Sequence, residues 1–202
     1  MTPTIIVIEG NIGSGKSSFL KKLQEECFQK DRTHIVTLQE PVELWENLMN
    51  HKGQSILSKF YQNPQKYAFP LQIYILQTLH LQLQNAMEQN PEATIFVCER
   101  SVESSRYIFS QMLYDKKHMN SLEMQIYNSI YDTLYKDKYK ISKIIYLDTP
   151  PEICLTRIQT RDRLAEKNIS IEYLLQCEIY YQNFIQRMKE QIGHSNVIIH
   201  YT

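Results

Sequence analysis

The run Gly10-Asn-Ile-Gly-Ser-Gly15-Lys16-Ser17 constrains this chain more than any other stretch, because it satisfies Gly-x4-Gly-Lys-Ser. The pattern works as a tight loop whose successive N–H groups point at one anion. The candidate phosphate-binding set is therefore Gly10, Asn11, Ile12, Gly13, Ser14, Gly15, Lys16, Ser17 and Ser18. Lys16 adds positive charge near the β- and γ-phosphates of a nucleotide, and the Ser17 hydroxyl can ligate Mg2+. Context supports the motif. Thr4-Ile-Ile-Val-Ile-Glu9 reads as a buried strand before the loop, and the residues from Ser17 onward read as a helix after it. A glycine-rich turn without ligand would not need all three parts.

A chain of 202 residues suits one domain, and no internal repeat, low-complexity segment or long Gly/Ser linker divides it. Formal net charge is +0, so the electrostatic footprint of a nucleic-acid binder is missing at chain level. No apolar run reaches the length of a membrane span, and the first strand begins too early for a signal peptide. Cys27, Cys98, Cys154 and Cys177 form no CxxC pair, which reads as reduced, buried thiols and a cytoplasmic setting, the host cytoplasm for a viral protein.

Short apolar runs at 4–9, 34–38, 94–98, 143–148 and 196–200 alternate with helical patterns. The helices are expected at 15–30, 42–60 (broken near Lys52-Gly53), 65–90, 101–114, 121–137, 151–162 and 170–191. Nearly continuous apolar strands suit a parallel sheet covered on both faces, so the alternation predicts a three-layer α/β fold. Ligands in such sheets bind beyond the carboxyl ends of the strands. Glu9-Gly10, Glu40-Pro41, Glu99-Arg100 and Asp148 all fall at such ends.

Pro41 biases Glu40 toward an extended backbone, fixing where its carboxylate leaves the sheet. Beside a γ-phosphate, that carboxylate is suited to accept a proton from an attacking hydroxyl. Taken alone, Glu-Pro reads as an ordinary solvated loop. Glu99 can hold the water shell of Mg2+, and Arg100 can orient Glu40 or neutralise charge on the transferred group. Arg157 and Arg161 share a helix face at i, i+4, with Arg163 where the helix gives way to a loop. This set can close over ATP, or it can be a solvated basic helix end favoured by the macrodipole. Gln72, Ile75 and Leu79 share one helical stripe, and Ser101, Ser105 and Phe109 another. An amide carries the donor and acceptor that a nucleobase edge needs, and an aromatic ring can stack on one; ordinary core is the competing reading of both stripes.

These residues line up in order with the deoxyribonucleoside kinases, the family of deoxycytidine, deoxyguanosine and mitochondrial thymidine kinases and the insect multisubstrate enzyme. The resemblance runs from Ile8-Glu-Gly-Asn-Ile-Gly-Ser-Gly-Lys-Ser through Glu40-Pro-Val-Glu-Leu-Trp45 and Tyr61-Gln-Asn-Pro to Gln72. It continues through Glu99-Arg-Ser-Val-Glu-Ser-Ser-Arg-Tyr-Ile-Phe109, Met119-Asn120, the segment Arg157 to Glu166, and Ile171-Glu-Tyr-Leu174. It implies a P-loop kinase fold over 1–202, with five parallel strands flanked by helices and an arginine-rich lid at about 157–169.

The activity implied is transfer of the ATP γ-phosphoryl group to the 5′-hydroxyl of a deoxynucleoside. Lys16 and Ser17 would serve the phosphates and Mg2+, with Glu99 helping to organise the metal. Glu40 would be the base and Arg100 its neighbour. Tyr61 and Glu166 would hold the 3′-hydroxyl, Gln72 would read the base, Phe109 would stack on it, and Trp45 would close a wall. Arg161 and Arg163 would form the lid over the phosphates. The family members are usually homodimers packed through helices; 65–90 and 121–137 are the candidates for that face, with ordinary core the competing reading of their apolar stripes.

The chain departs from the family at three places. Members specialised for deoxycytidine or purines carry an Arg and an Asp that reach the base, where this chain has Leu79 and Ser105. An uncharged pocket resembles the thymidine-accepting branch, so thymidine or another pyrimidine deoxynucleoside is the expected acceptor. Leu71 replaces an aromatic residue before the glutamine, and Pro70 can kink its helix. The compact length suits a viral or bacterial member.

Three other functions compete. A thymidylate-type kinase would need no general base and would carry Asp-Arg where Glu99-Arg100-Ser101 stands. A GTP-dependent switch would need Asn-Lys-x-Asp, which is missing. A non-catalytic nucleotide-binding protein would not need Lys16, Ser17, Glu40, Glu99, Arg100, Arg161 and Arg163 together.

Overall fold

The computed structural model describes residues 2–30, 32–136 and 138–202. Five strands, β1 (Thr4–Gly10), β2 (Ile35–Leu38), β3 (Ile95–Glu99), β4 (Ile141–Asp148) and β5 (Val197–Tyr201), form one sheet in the order β2-β3-β1-β4-β5. Every pairing is parallel.

Successive strand side chains point to opposite faces, and both faces are covered. On one face Ile5, Val7, Phe96, Cys98, Ile144 and Tyr146 share a core with Cys177, Tyr181, Phe184 and Met188. On the other, Ile8, Val97 and Leu147 pack with Leu20, joined by Ile6, Ile95 and Ile145. Two buried faces explain why the strands read as unbroken apolar runs rather than as an alternating pattern. The expected parallel α/β architecture is the one observed.

Helix α1 (Lys16–Gln29) follows the phosphate loop, and α2 (Val42–Asn47) follows β2. The break expected near Lys52-Gly53 is wider than that. Helix α2 ends at Asn47, and an antiparallel bridge joins Met49 to Ser55 before α3 (Ile56–Gln62), whose first turn is capped by the Ser55 hydroxyl. Helix α4 (Pro64–Gln89) runs through Pro70.

The single helix expected at 101–114 is three segments: α5 (Val102–Ser104), a π-helical stretch (Ser105–Ser110) and α6 (Gln111–Asp115). Helix α7 (Ser121–Leu134) opens with a capping box between Asn120 and Glu123 and stops three residues before the expected end, which lies outside the described residues. Helices α8 (Pro151–Arg161) and α9 (Ile171–Ile192) flank a 3-10 turn at Leu164–Glu166.

A second core lies away from the sheet. Trp45, Leu57, Phe60, Leu71, Leu76, Leu113, Met119 and Tyr127 pack together from α2, α3, α4, α6, α7 and the link between the last two. This helical layer forms a wall facing the strand ends, and a cleft opens between the two. All four cysteines are free and buried. Among the described residues no helix is long and apolar enough to cross a membrane.

Candidate active site

The cleft measures about 710 Å³, within the range of small-molecule sites. The phosphate loop forms its floor. Gly13 has φ 81°, and a Cβ there would lie 2.5 Å from the Cys154 carbonyl oxygen, so only glycine fits. The loop is held from behind by three elements. Asn11 donates to the Leu174 carbonyl at 2.9 Å, while Thr149 and Arg157 both donate to the Ser14 carbonyl, at 3.2 and 3.0 Å. The Lys16 ammonium donates to the carbonyls of Gly10 and Asn11 at 3.0 and 2.9 Å. Burial and the nearby Arg100 lower its pKa to about 8, against the pull of Glu40, Glu99 and Glu9.

Carboxylates converge on this floor from two strand ends. Glu99 accepts from the Ser17 hydroxyl at 2.8 Å and from the Glu40 N–H at 3.4 Å. Glu40 in turn accepts from Nε of Arg100 at 2.5 Å. Arg100 also donates to the Tyr181 hydroxyl, and its guanidinium lies 4.6 Å from the centre of the Phe109 ring. Arg100 has φ 68°, an uncommon conformation for a residue with a side chain, held here by contacts on every side. Burial opposes its charge, but Glu40, Tyr181, Glu9 and Glu99 outweigh this and keep it firmly protonated. The result is a carboxylate fixed in direction by a permanent cation.

On the opposite rim, Arg161 donates to Glu166 at 2.7 Å, and Arg163 lies 3.6 Å from the other oxygen of the same carboxylate. Asp162, between them, turns the chain at φ 48° and ends α8. Tyr61 lines the cleft beside this turn. Burial, with the nearby Glu166, raises the pKa of its phenol and keeps it a hydrogen-bond donor.

The apolar end is walled by Trp45, Leu71, Ile75, Leu79 and Phe109. Trp45 is locked by donating to Thr78 at 2.9 Å. The polar groups at this end include Gln72 and Ser105, and the Gln72 oxygen accepts from the hydroxyls of Ser105 and Ser110, at 3.4 and 3.2 Å. A cleft with a cationic loop at one end, an oriented carboxylate in the middle and a mostly apolar, uncharged slot beyond it fits a phosphoryl donor and an alcohol on a flat, weakly polar ring.

A sequence model of the family described as deoxynucleoside kinase matches residues 6–201. The chain belongs to the deoxynucleoside kinase family. It is therefore an ATP-dependent enzyme that phosphorylates deoxynucleosides. Human deoxycytidine kinase is 33% identical over 198 residues, covering 89% of this chain and 74% of the relative. A probable deoxycytidine kinase of fowlpox virus is 35% identical over 171 residues, covering 84% and 66%. Mitochondrial deoxyguanosine kinase of Xenopus laevis is 29% identical over 208 residues, covering 94% and 76%.

For a kinase of this family, nearly all residues singled out from the sequence meet in one cleft. Ile12 to Ser18, Glu40, Trp45, Tyr61, Gln72, Leu79, Glu99, Arg100, Ser105, Phe109, Arg157, Arg161, Arg163 and Glu166 all line it. Gly10 and Asn11 stand behind the wall and shape the loop. Ser101 leaves its expected stripe, since its hydroxyl turns away to donate to Glu9 at 2.7 Å.

Four contributors were not among the candidate site residues read from the sequence. Glu9 is wholly buried, and its Oε2 has no partner among the described residues. Burial raises its pKa, against the pull of Arg100, Ser101, Ser104 and Lys16. A glutamate ending an otherwise apolar strand was a usable signal. Tyr181, which meets Arg100, sat in an apolar stripe of α9 that reads as plain core. Ser110 and Tyr127 had no signal at all, because their role depends on the π-helical stretch.

Proposed function

We propose that this kinase transfers the γ-phosphoryl group of ATP to the 5′-hydroxyl of pyrimidine deoxynucleosides, with thymidine leading, in nucleotide salvage. The observation supporting this most directly is Glu40: a carboxylate held by Arg100 between the phosphate loop and the slot for the base.

In the proposed mechanism the 5′-hydroxyl gives its proton to Glu40 as the oxygen–phosphorus bond forms, and the bond to ADP breaks. Arg100 orients Glu40 and faces the moving charge. Lys16 and the N–H groups of the loop hold the donor phosphates, while Arg157, Arg161 and Arg163 approach from the lid. Ser17 and Glu99 suit Mg2+, which takes few protein oxygens and relies on phosphates for the rest, and when bound it would neutralise charge on those phosphates. Tyr61 and Glu166 would take the sugar 3′-hydroxyl. Trp45, Phe109, Leu79, Ser105 and Gln72 would surround the base.

Thymidine is favoured because the wall at Leu79 and Ser105 carries no arginine–carboxylate pair to receive an amino-bearing edge. The named relatives act on deoxycytidine and deoxyguanosine, so the discriminating measurement is kcat/KM with Mg-ATP for the four deoxynucleosides and thymidine monophosphate. Thymidine leading supports the reading, and exclusive use of the monophosphate rejects it together with the role of Glu40. Ser105→Asp is expected to lower thymidine use relative to deoxycytidine by about tenfold. An unchanged ratio would reject Ser105 as a base-facing residue.

A homodimer is part of the same proposal. Leu122, Ile126 and Leu134 are exposed apolar residues of α7, and Leu81 is exposed on α4. Sedimentation is expected to give twice the chain mass, falling to one chain mass in Ile126→Glu. A monomer in the unmodified protein would discard this face as an interface. The reaction needs no membrane or nucleic-acid partner, and a cytoplasmic location suits the four reduced thiols.

A further inference from the structure

Glu9 is a buried acidic group that the reaction itself does not touch. Ile5 and Val7 turn the odd-numbered side chains of β1 into the core shared with α9, and Glu9, wholly buried, continues that face. An apolar side chain would suit the position better. Its Oε1 accepts from the Ser101 hydroxyl at 2.7 Å, and its Oε2 has no partner among the described residues. Burial opposes its charge, while Arg100 and the hydroxyls of Ser101 and Ser104 favour it.

The residue that Glu9 holds adjoins the most constrained turn of the site. Arg100 has φ 68°, in the left-handed region that a residue with a Cβ seldom adopts without outside support. Its N–H donates to the Ile8 carbonyl at 3.1 Å, and the next side chain, Ser101, donates to Glu9. Adjacent residues of β1 thus hold adjacent residues just past β3. The Ser101 oxygen is occupied on its other side, where it accepts from the Ser104 N–H at 3.1 Å as the cap of α5. Its one proton goes to Glu9. The turn fixed in this way sends the Arg100 side chain to Glu40, which it meets through Nε at 2.5 Å.

We infer that Glu9 is a positioning residue for phosphoryl transfer: through the Ser101 hydroxyl it holds the left-handed turn at Arg100, and so sets the direction in which Arg100 presents Glu40. Without an acceptor at position 9, Ser101 is free to turn and Arg100 relaxes toward an ordinary negative φ, which swings its guanidinium away from Glu40. Glu9 meets no substrate in this arrangement. It supplies an oxygen for one hydrogen bond, and a glutamine can supply that as well. The inference rests on the roles proposed above for Glu40 and Arg100.

The test is a double-variant cycle on kcat, with the dissociation constants of ATP and deoxynucleoside measured alongside. Glu9→Leu leaves Ser101 without an acceptor and should lower kcat by about tenfold to a hundredfold, since an ångström of misplacement is enough for the larger figure. Both dissociation constants should stay near native. Glu9→Gln, which keeps the accepting oxygen, should stay within about threefold of native kcat. In Arg100→Gly the glycine accepts the turn and no side chain remains to be aimed, so adding Glu9→Leu should change kcat by less than about twofold. A loss that recurs undiminished in Arg100→Gly marks a purely structural role and overturns the inference. An equal loss in Glu9→Gln also overturns it, because charge and not the hydrogen bond would then be the contribution. If Glu9→Leu does not fold, Ser101→Ala breaks the same hydrogen bond from the other side and is read by the same cycle, with Ser101→Thr expected to restore kcat. Native kcat in Glu9→Leu beside a disabled Glu40→Gln overturns the inference alone. Native kcat in Glu40→Gln overturns it together with the reading of Glu40.

Discussion

Glu40→Gln should lower kcat by about 10²–10⁴ while leaving the dissociation constants of ATP and nucleoside close to native. The substitution keeps the shape of the side chain and an oxygen that can still accept from Arg100, but it removes the group able to take the hydroxyl proton. The site around it should survive. Arg100 keeps Glu9 and Glu99 as acidic neighbours, and its guanidinium still rests on Phe109 and the Tyr181 hydroxyl. Some loss of Tm is expected, because a buried cation has lost its direct counter-charge. Steady-state kinetics and calorimetric titration separate the two effects. A kcat within a factor of three of native would remove Glu40 as the base, and weakened binding with unchanged kcat would make it a ligand for substrate instead.

That prediction was within reach of the sequence because the information needed was local. An apolar run followed by a carboxylate and proline marks a strand end, and the rule that ligands gather beyond strand ends places Glu40, Glu99 and the phosphate loop together. The two-faced burial of β1, β3 and β4 follows from the same runs. What could not be read was any feature set by distant packing. Ser-Arg-Tyr-Ile-Phe-Ser at 105–110 looks helical and becomes π-helical, with Ser105 and Ser110 both meeting Gln72 of α4. Tyr181 is one tyrosine among many until β3 delivers Arg100 to it. Glu166 was legible as part of a cluster with Arg157, Arg161 and Arg163, but the pairing of its carboxylate with Arg161 and Arg163 was not. Sequence patterns disclose which elements form and which ends carry charge. They do not disclose which two elements share a hydrogen bond.

The phosphate loop offers a sharper test of packing against backbone strain, because two glycines share a left-handed conformation in different surroundings. Gly13 has φ 81° and Gly53 has φ 70°, so alanine is strained at both. At Gly53 a Cβ would meet nothing within 4 Å. At Gly13 it would lie 2.5 Å from the Cys154 carbonyl oxygen and 3.0 Å from Ile158. That oxygen belongs to the backbone of α8 and cannot swing away, so α8 itself would have to move. Such movement would draw Arg157 from the Ser14 carbonyl it holds at 3.0 Å and open the loop that serves the phosphates. Gly53→Ala is therefore expected to cost only the strain, about 1–2 kcal/mol. Gly13→Ala adds overpacking of about 1–3 kcal/mol to that strain and should lower Tm on the order of 10 °C, with most ATP affinity lost. Equal Tm losses in the two variants would mean that α8 accommodates the methyl group, and the close approach of loop and helix would then not be what demands glycine at position 13.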